Sequence, residues 1–136
     1  MTQKEKELLL KDLCARLPYG FIIHRYSDNV DIKINTIDDF SHFLEYSEGE
    51  DFKPYLRPMS SMTEEEKEEL SHLLPKDWSV EIDKLNNFYF DISPSIFMEI
   101  DVFLNIIDWL NAHHFDFRGL IGKDLALEAP EEMYNN

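Results

Sequence analysis

The chain has 136 residues, 43% hydrophobic, 30% charged and 13% aromatic, which is the size and composition of one globular domain and excludes a disordered chain. Its 28 acidic and 13 basic residues leave a net charge of -15, which argues against direct binding to nucleic acid or to an anionic membrane, since that affinity comes from Lys and Arg. One cysteine, Cys14, excludes an intrachain disulfide, and no stretch approaches the ~20 apolar residues of a membrane span.

The charge is uneven. Residues 1–62 carry 11 acidic and 8 basic groups, and residues 63–136 carry 17 and 5. A short polar start and the three-leucine run Leu8–Leu10 do not make a signal peptide, so the expected location is cytoplasmic.

Residues 3–17 read as an amphipathic helix with Leu9, Leu10, Leu13 and Leu17 at helical spacing and Cys14 buried beside them. Pro18 ends it and Gly20 allows the turn. Phe21 to Tyr26 and Val30 to Ile34 switch to period two around Ser27-Asp28-Asn29. This predicts a hairpin whose second strand buries Val30, Ile32 and Ile34.

Phe40 to Ser47 fits either a helix or a third strand, and strand is the reading taken. Lys53 to Pro58, bracketed by prolines, reads as a turn and a short edge strand. Thr63-Glu64-Glu65-Glu66 is a capping box that starts a helix to about Leu74, offering Leu70, Leu73 and Leu74 to a core. Its acidic run reads as a solvated face. Residues 78–92 predict a second hairpin turning at Asn86-Asn87.

Ser93-Pro94 opens the longest predicted helix, which runs to about His113. Phe97, Ile100, Phe103, Leu104, Ile107 and Leu110 form a broad stripe, widened by Met98, Val102 and Trp109. A stripe this wide needs a cover, from the sheet or from another chain. Asp116 then caps a short helix from Phe117 to Ile121, and residues 129–136 form a loose tail. The expected architecture is α+β in a single domain, 1–136: a small antiparallel sheet of two hairpins packed with an N-terminal helix, a middle helix and a long C-terminal apolar helix.

Only one place crowds titratable groups, aromatics and a chain reversal together. It is the stretch from Trp109 through His113, His114, Asp116 and Arg118 to Ile121, and these five residues are the candidates for a ligand or partner site. Adjacent histidines on a helix point different ways, so no metal is expected there. A histidine at a helix C-terminus is also favoured by the dipole. Glu68 and His72 have metal-ligand spacing but read as a surface pair. Gly119-Leu120-Ile121-Gly122-Lys123-Asp124 lacks the spacing and the Ser or Thr of a phosphate loop. No catalytic residue and no cofactor is expected.

Three blocks together carry a resemblance: Leu8 to Gly20, Lys53 to Glu66, and His113 to Ile121 with Leu125 to Pro130. They resemble a family of short uncharacterised proteins carried in prophages and mobile elements of gut anaerobic bacteria. The resemblance implies an accessory gene in such an element and a strand-rich unit from Phe21 to Tyr55. It transfers no site residue. It also implies glycine at the positions of Asp124 and Glu132, so this chain departs from the pattern in its C-terminal turns. The leading expectation is a small acidic, non-enzymatic accessory protein that binds another protein or itself through the apolar helix. The alternatives are a metal-dependent or hydrolytic enzyme centred on His113, His114, Asp116 and Arg118, and an acidic nucleic-acid mimic that blocks a DNA-binding protein.

Overall fold

The computed structural model describes residues 2–46, 51–74, 79–82, 88–91 and 100–134. The architecture is α+β, with helices α1 (Gln3–Arg16), α2 (Ile37–Tyr46), α3 (Glu64–Ser71) and α4 (Ile100–Ala112), and strands β1 (Phe21–Arg25), β2 (Val30–Ile34), β3 (Phe52–Leu56), β4 (Ser79–Ile82), β5 (Phe88–Asp91) and β6 (Leu127–Glu128). The main sheet has the order β2-β1-β3-β6, and β4 and β5 form a separate antiparallel pair. The sheet is therefore mixed, not purely antiparallel, because β6 joins β3 in parallel through Tyr55↔Leu127 and Leu56↔Glu128.

Helix α1 opens with a capping box: Thr2 Oγ1 accepts from Glu5 N–H, and Glu5 reaches back to Thr2 N–H. Its buried face is Leu9, Asp12, Leu13 and Arg16, the i, i+3, i+4, i+7 set. This corrects the sequence reading. Leu10 and Cys14 are exposed, and a charged pair takes two of the four inward positions.

The first hairpin forms as expected, with Arg25 opposite Val30 and Phe21 opposite Ile34. Asn29 supplies the left-handed residue of its turn, at φ 54°, and Arg25 pairs with Asp28 across it. Only Ile34 of the three predicted β2 residues is buried, and Val30 at the hairpin tip is exposed.

The stretch read as a third strand is helix α2. Thr36 Oγ1 accepts from Asp39 N–H, and Asp38 and Asp39 suit the positive helix N-terminus. Phe40 and Phe43, three apart, both enter the core, where they meet Phe21 and Phe52 edge-on at centroid distances of 5.9 and 4.2 Å. The cap and this spacing outweigh the strand preference of Phe43 to Tyr46.

Strand β3 is not at an edge. It lies between β1 and β6, and Pro54 is tolerated because β6 pairs with β3 only from Tyr55 onward. The capping box at Thr63 and Glu66 is present as predicted. Leu70 and Leu74 are buried, although α3 ends at Ser71. Glu68 and His72 form no ion pair; the backbone N–H of His72 closes the helix instead. Strands β4 and β5 pair as predicted, while Asn86-Asn87 and the Ser93-Pro94 helix start lie outside the described residues.

Two apolar clusters result. One gathers Leu9, Leu13, Phe21, Ile23, Phe40 and Phe52 among others between α1, α2 and the sheet. The other gathers Met59, Met62, Leu70, Ile106, Trp109, Leu110 and Phe115 between α3 and α4.

Candidate functional site

Helix α4 ends in a Schellman motif. His114 N–H donates to Asn111 O at 3.1 Å and Phe115 N–H to Leu110 O at 3.0 Å. The left-handed residue that this motif needs is His114, at φ 65°. Glycine is the ordinary choice, and a histidine there costs ~1–2 kcal/mol of backbone strain.

The reversal returns the chain to β3. Arg57 N–H donates to His114 O and Asp116 N–H to Arg57 O, each at 2.8 Å. The Arg57 side chain then joins three elements. It grips Glu66 in a bidentate pair at 2.7 and 2.8 Å, lies 4.1 Å over the Phe115 ring, and reaches His113 O. Burial raises the Glu66 pKa, but Arg57 and the Thr63 N–H outweigh it and hold the carboxyl below its ordinary value.

The five sequence candidates part company here. Trp109 stacks with His113 at 4.0 Å and with Phe115 at 5.8 Å, and donates to Glu69 at 3.0 Å. His113 Nδ1 lies 2.9 Å from Trp109 O, and its Nε2 is 4.0 Å from Glu69. His114 stacks on Tyr134 at 3.7 Å. Burial, with Arg16 and Arg57 nearby, pushes its pKa down to about 4, so the ring is uncharged at neutral pH, and its Nδ1 is buried with no hydrogen-bond partner among the described residues.

Asp116 is buried and caps the next turn, accepting from Leu120 N–H at 2.7 Å and Ile121 N–H at 2.9 Å. The capping role matches the sequence reading, but what it caps is a pair of turns rather than a helix. That segment closes with Leu125 N–H on Leu120 O and Asp124 N–H on Ile121 O, with Asp124 at φ 60°. Asp124 and Glu132, at φ 60° and 71°, both have the conformation glycine adopts at least cost.

Arg118 leaves the cluster altogether. Its Nη1 donates to Asp12 Oδ1 at 2.8 Å. Asp12 also takes Arg16 Nε at 2.7 Å and Nη2 at 3.1 Å, and Arg16 Nη2 donates to Phe115 O at 2.7 Å. Asp12 and Arg16 are fully buried. Two guanidiniums thus share one carboxylate, with the Phe117 ring 5.5 Å from Arg16 and 4.6 Å from Arg118. This knot joins α1 to the segment after α4 and is the feature sequence reasoning missed. The only signal in the sequence was the i, i+4 spacing of Asp12 and Arg16, which equally fits an exposed pair.

Each member of the cluster is therefore spent on structure: a stack, a cap or an ion pair. Among the described residues no three His, Cys, Asp or Glu side chains are placed to hold a metal. A second polar trio lies on the outer face of the sheet, where Asp31 Oδ1 accepts from Tyr55 Oη at 3.0 Å and sits 2.8 Å from His24 Nδ1. Asp31 is exposed, so water competes for these bonds.

One large feature remains unspent. In the first half of α4, Ile100, Phe103 and Leu104 are 74%, 50% and 52% exposed. With Ile107 they form an i, i+3, i+4, i+7 stripe. The buried face of the helix is instead Ile106, Trp109, Leu110 and Asn111, so the predicted stripe is only partly covered, and Ile106 was not part of it. No described helix is long and apolar enough to cross a membrane. Compared with known proteins, the chain matches no family model, no curated protein and no solved structure.

Proposed function

We propose that this protein is a non-enzymatic accessory factor that acts by binding another protein through the first half of α4. The observation that carries this reading is the exposure of Ile100, Phe103 and Leu104 on one face. Leaving Ile100 mostly, and Phe103 and Leu104 half, in water forgoes part of the roughly 1.5–3 kcal/mol that full burial of each would contribute, and adjacent exposed apolar groups mark interaction surfaces. The second half of the chain, with 17 acidic and 5 basic residues, favours a partner with a basic rim and opposes self-association. The proposed setting, an accessory factor carried on a prophage or mobile element, is supported by the family resemblance.

The test pairs Phe103→Glu/Leu104→Glu with the wild type. Crosslinking and affinity capture in the native cell should recover a defined partner with the wild type, and that partner should be lost with the variant. A partner retained by the variant, or a wild type that stays monomeric and captures nothing, overturns the reading.

A further inference from the structure

We propose that the junction of β1, β3 and the His114–Asp116 segment is a socket for a 4-alkylphenol, in which the chain's own Tyr134 is the resident ligand. The inference is independent of the α4 face.

The side of β3 that faces β1 is occupied in three ways along its length. From Phe52 to Pro54 it is paired with β1. At Arg57 it is bonded to His114 and Asp116. Between these, the ladder should continue. Tyr26 N–H donates to Asp51 O, and the antiparallel alternation makes His24 with Lys53, then Ile22 with Tyr55, the next directly bonded pairs. The strands part before the last of these.

The gap holds the Tyr134 hydroxyl. Ile22 N–H donates to Tyr134 Oη at 2.9 Å, and Tyr134 Oη donates to Tyr55 O at 2.7 Å. One oxygen thus accepts from one strand and donates to the other, satisfying two backbone groups that would otherwise be orphaned. The ring selects for more than a hydroxyl. It lies 3.7 Å from the His114 ring at an interplanar angle of 13°, and the left-handed backbone of His114 presents that ring. A cavity of about 110 Å³ beside it is lined by Tyr19, Phe21, Lys33 and Met133 among others.

The tether is slight. Between β6 and Tyr134 the tail is held by Ala129 N–H on Leu56 O and by a turn closed by Met133 N–H on Pro130 O. Glu131 and Glu132 are exposed, and Glu132 is left-handed without being glycine. A segment expected from sequence to be loose is anchored by its one aromatic residue. Once this side chain is removed, an equivalent phenol from outside can take its place.

The test uses full-length Tyr134→Ala, with p-cresol and toluene as probes. The variant should melt lower than the wild type, and p-cresol should raise its melting temperature saturably. Toluene, which has the ring but no hydroxyl, should raise it much less. The wild type, with its socket filled, should respond weakly to both. Equal shifts from the two probes, or none from p-cresol, would overturn the proposal. Should Tyr134→Ala not fold, Tyr134→Phe keeps the ring and removes the bridge. Hydrogen exchange at the Ile22 amide should then quicken at least tenfold, and unchanged protection there also overturns it.

Discussion

The two halves of α4 are built from similar residues and treated in opposite ways. At the C-terminal half, Leu110, Asn111 and the reversal beyond them are closed in by α1, β3 and the tail. At the N-terminal half, Ile100, Phe103 and Leu104 stand in water. The reversal beyond the closed half is rich in histidine, aspartate and arginine, the residue types that suggest chemistry. The open half has no titratable residue but Asp101, and it is the half left with surface to offer. Residue type alone draws attention to the end whose polar groups are already satisfied by one another.

The largest expected effect attacks the closed end. Arg16→Ala leaves Asp12 buried with only Arg118 and removes the donor to Phe115 O. Breaking a buried pair in this way costs ~3–5 kcal/mol, to be read by denaturant unfolding. A loss below ~1 kcal/mol would show that the pair is solvated and the end not closed. Replacing Asp12, Arg16 and Arg118 together by apolar residues of similar volume should cost less than the single change, since no charge is then stranded.

Much of the fold was legible in the sequence. The Thr63 capping box, both hairpins and the turn-capping role of Asp116 rest on local chemistry that reads directly from residue order. What was not legible depends on distant partners. An Asp–Arg pair four apart on a helix is ordinarily a surface pair, and only the chain at 115–118, a hundred residues away, buries this one. Pro54 argued for an edge strand because the two-residue β6 carries no periodic signal of its own. The candidate cluster was correctly located as the place where the chain turns, but adjacency in sequence said nothing of the four separate surroundings its side chains enter. Tyr134 was invisible for the same reason: a lone tyrosine in an acidic tail acquires its role only from the gap between Ile22 and Tyr55.

A pH titration sharpens the comparison next. The pKa of His114 falls from 6.5 to about 4 on folding, so the unfolded chain binds the proton more tightly. Stability from this group is fully present above pH 6.5 and is lost as pH falls toward 4. The shift corresponds to about 2 kcal/mol once solvent screening of a partly exposed ring is allowed for. His114→Asn tolerates the left-handed backbone and does not titrate. The stability difference between pH 7 and pH 5 should be smaller in this variant than in the wild type, and equal differences would show that His114 is not desolvated at the closed end.

The tail gives a smaller effect of opposite sign. Glu132 is exposed and left-handed at φ 71°, so Glu132→Gly should raise stability by ~0.5–1 kcal/mol through relief of that strain, less the entropy glycine adds to the unfolded chain. A loss instead would mean that the Glu132 side chain holds the turn that delivers Tyr134.

The smallest expected effect falls on the open end and bears most directly on function. Phe103 is half exposed in the isolated chain, so Phe103→Glu removes little packing. It stands two residues from Asp101 and five from Asp108, spacings that do not face one another on a helix, so the new charge adds little repulsion. The unfolding free energy should change by no more than ~0.5 kcal/mol, while partner binding is lost. The stability arm decides between two explanations of the exposed stripe. If the chain covers this face itself in solution, burying a carboxylate there costs several kcal/mol, and the variant will be severely destabilised. A stable variant that no longer binds leaves the stripe as a surface kept open for another protein.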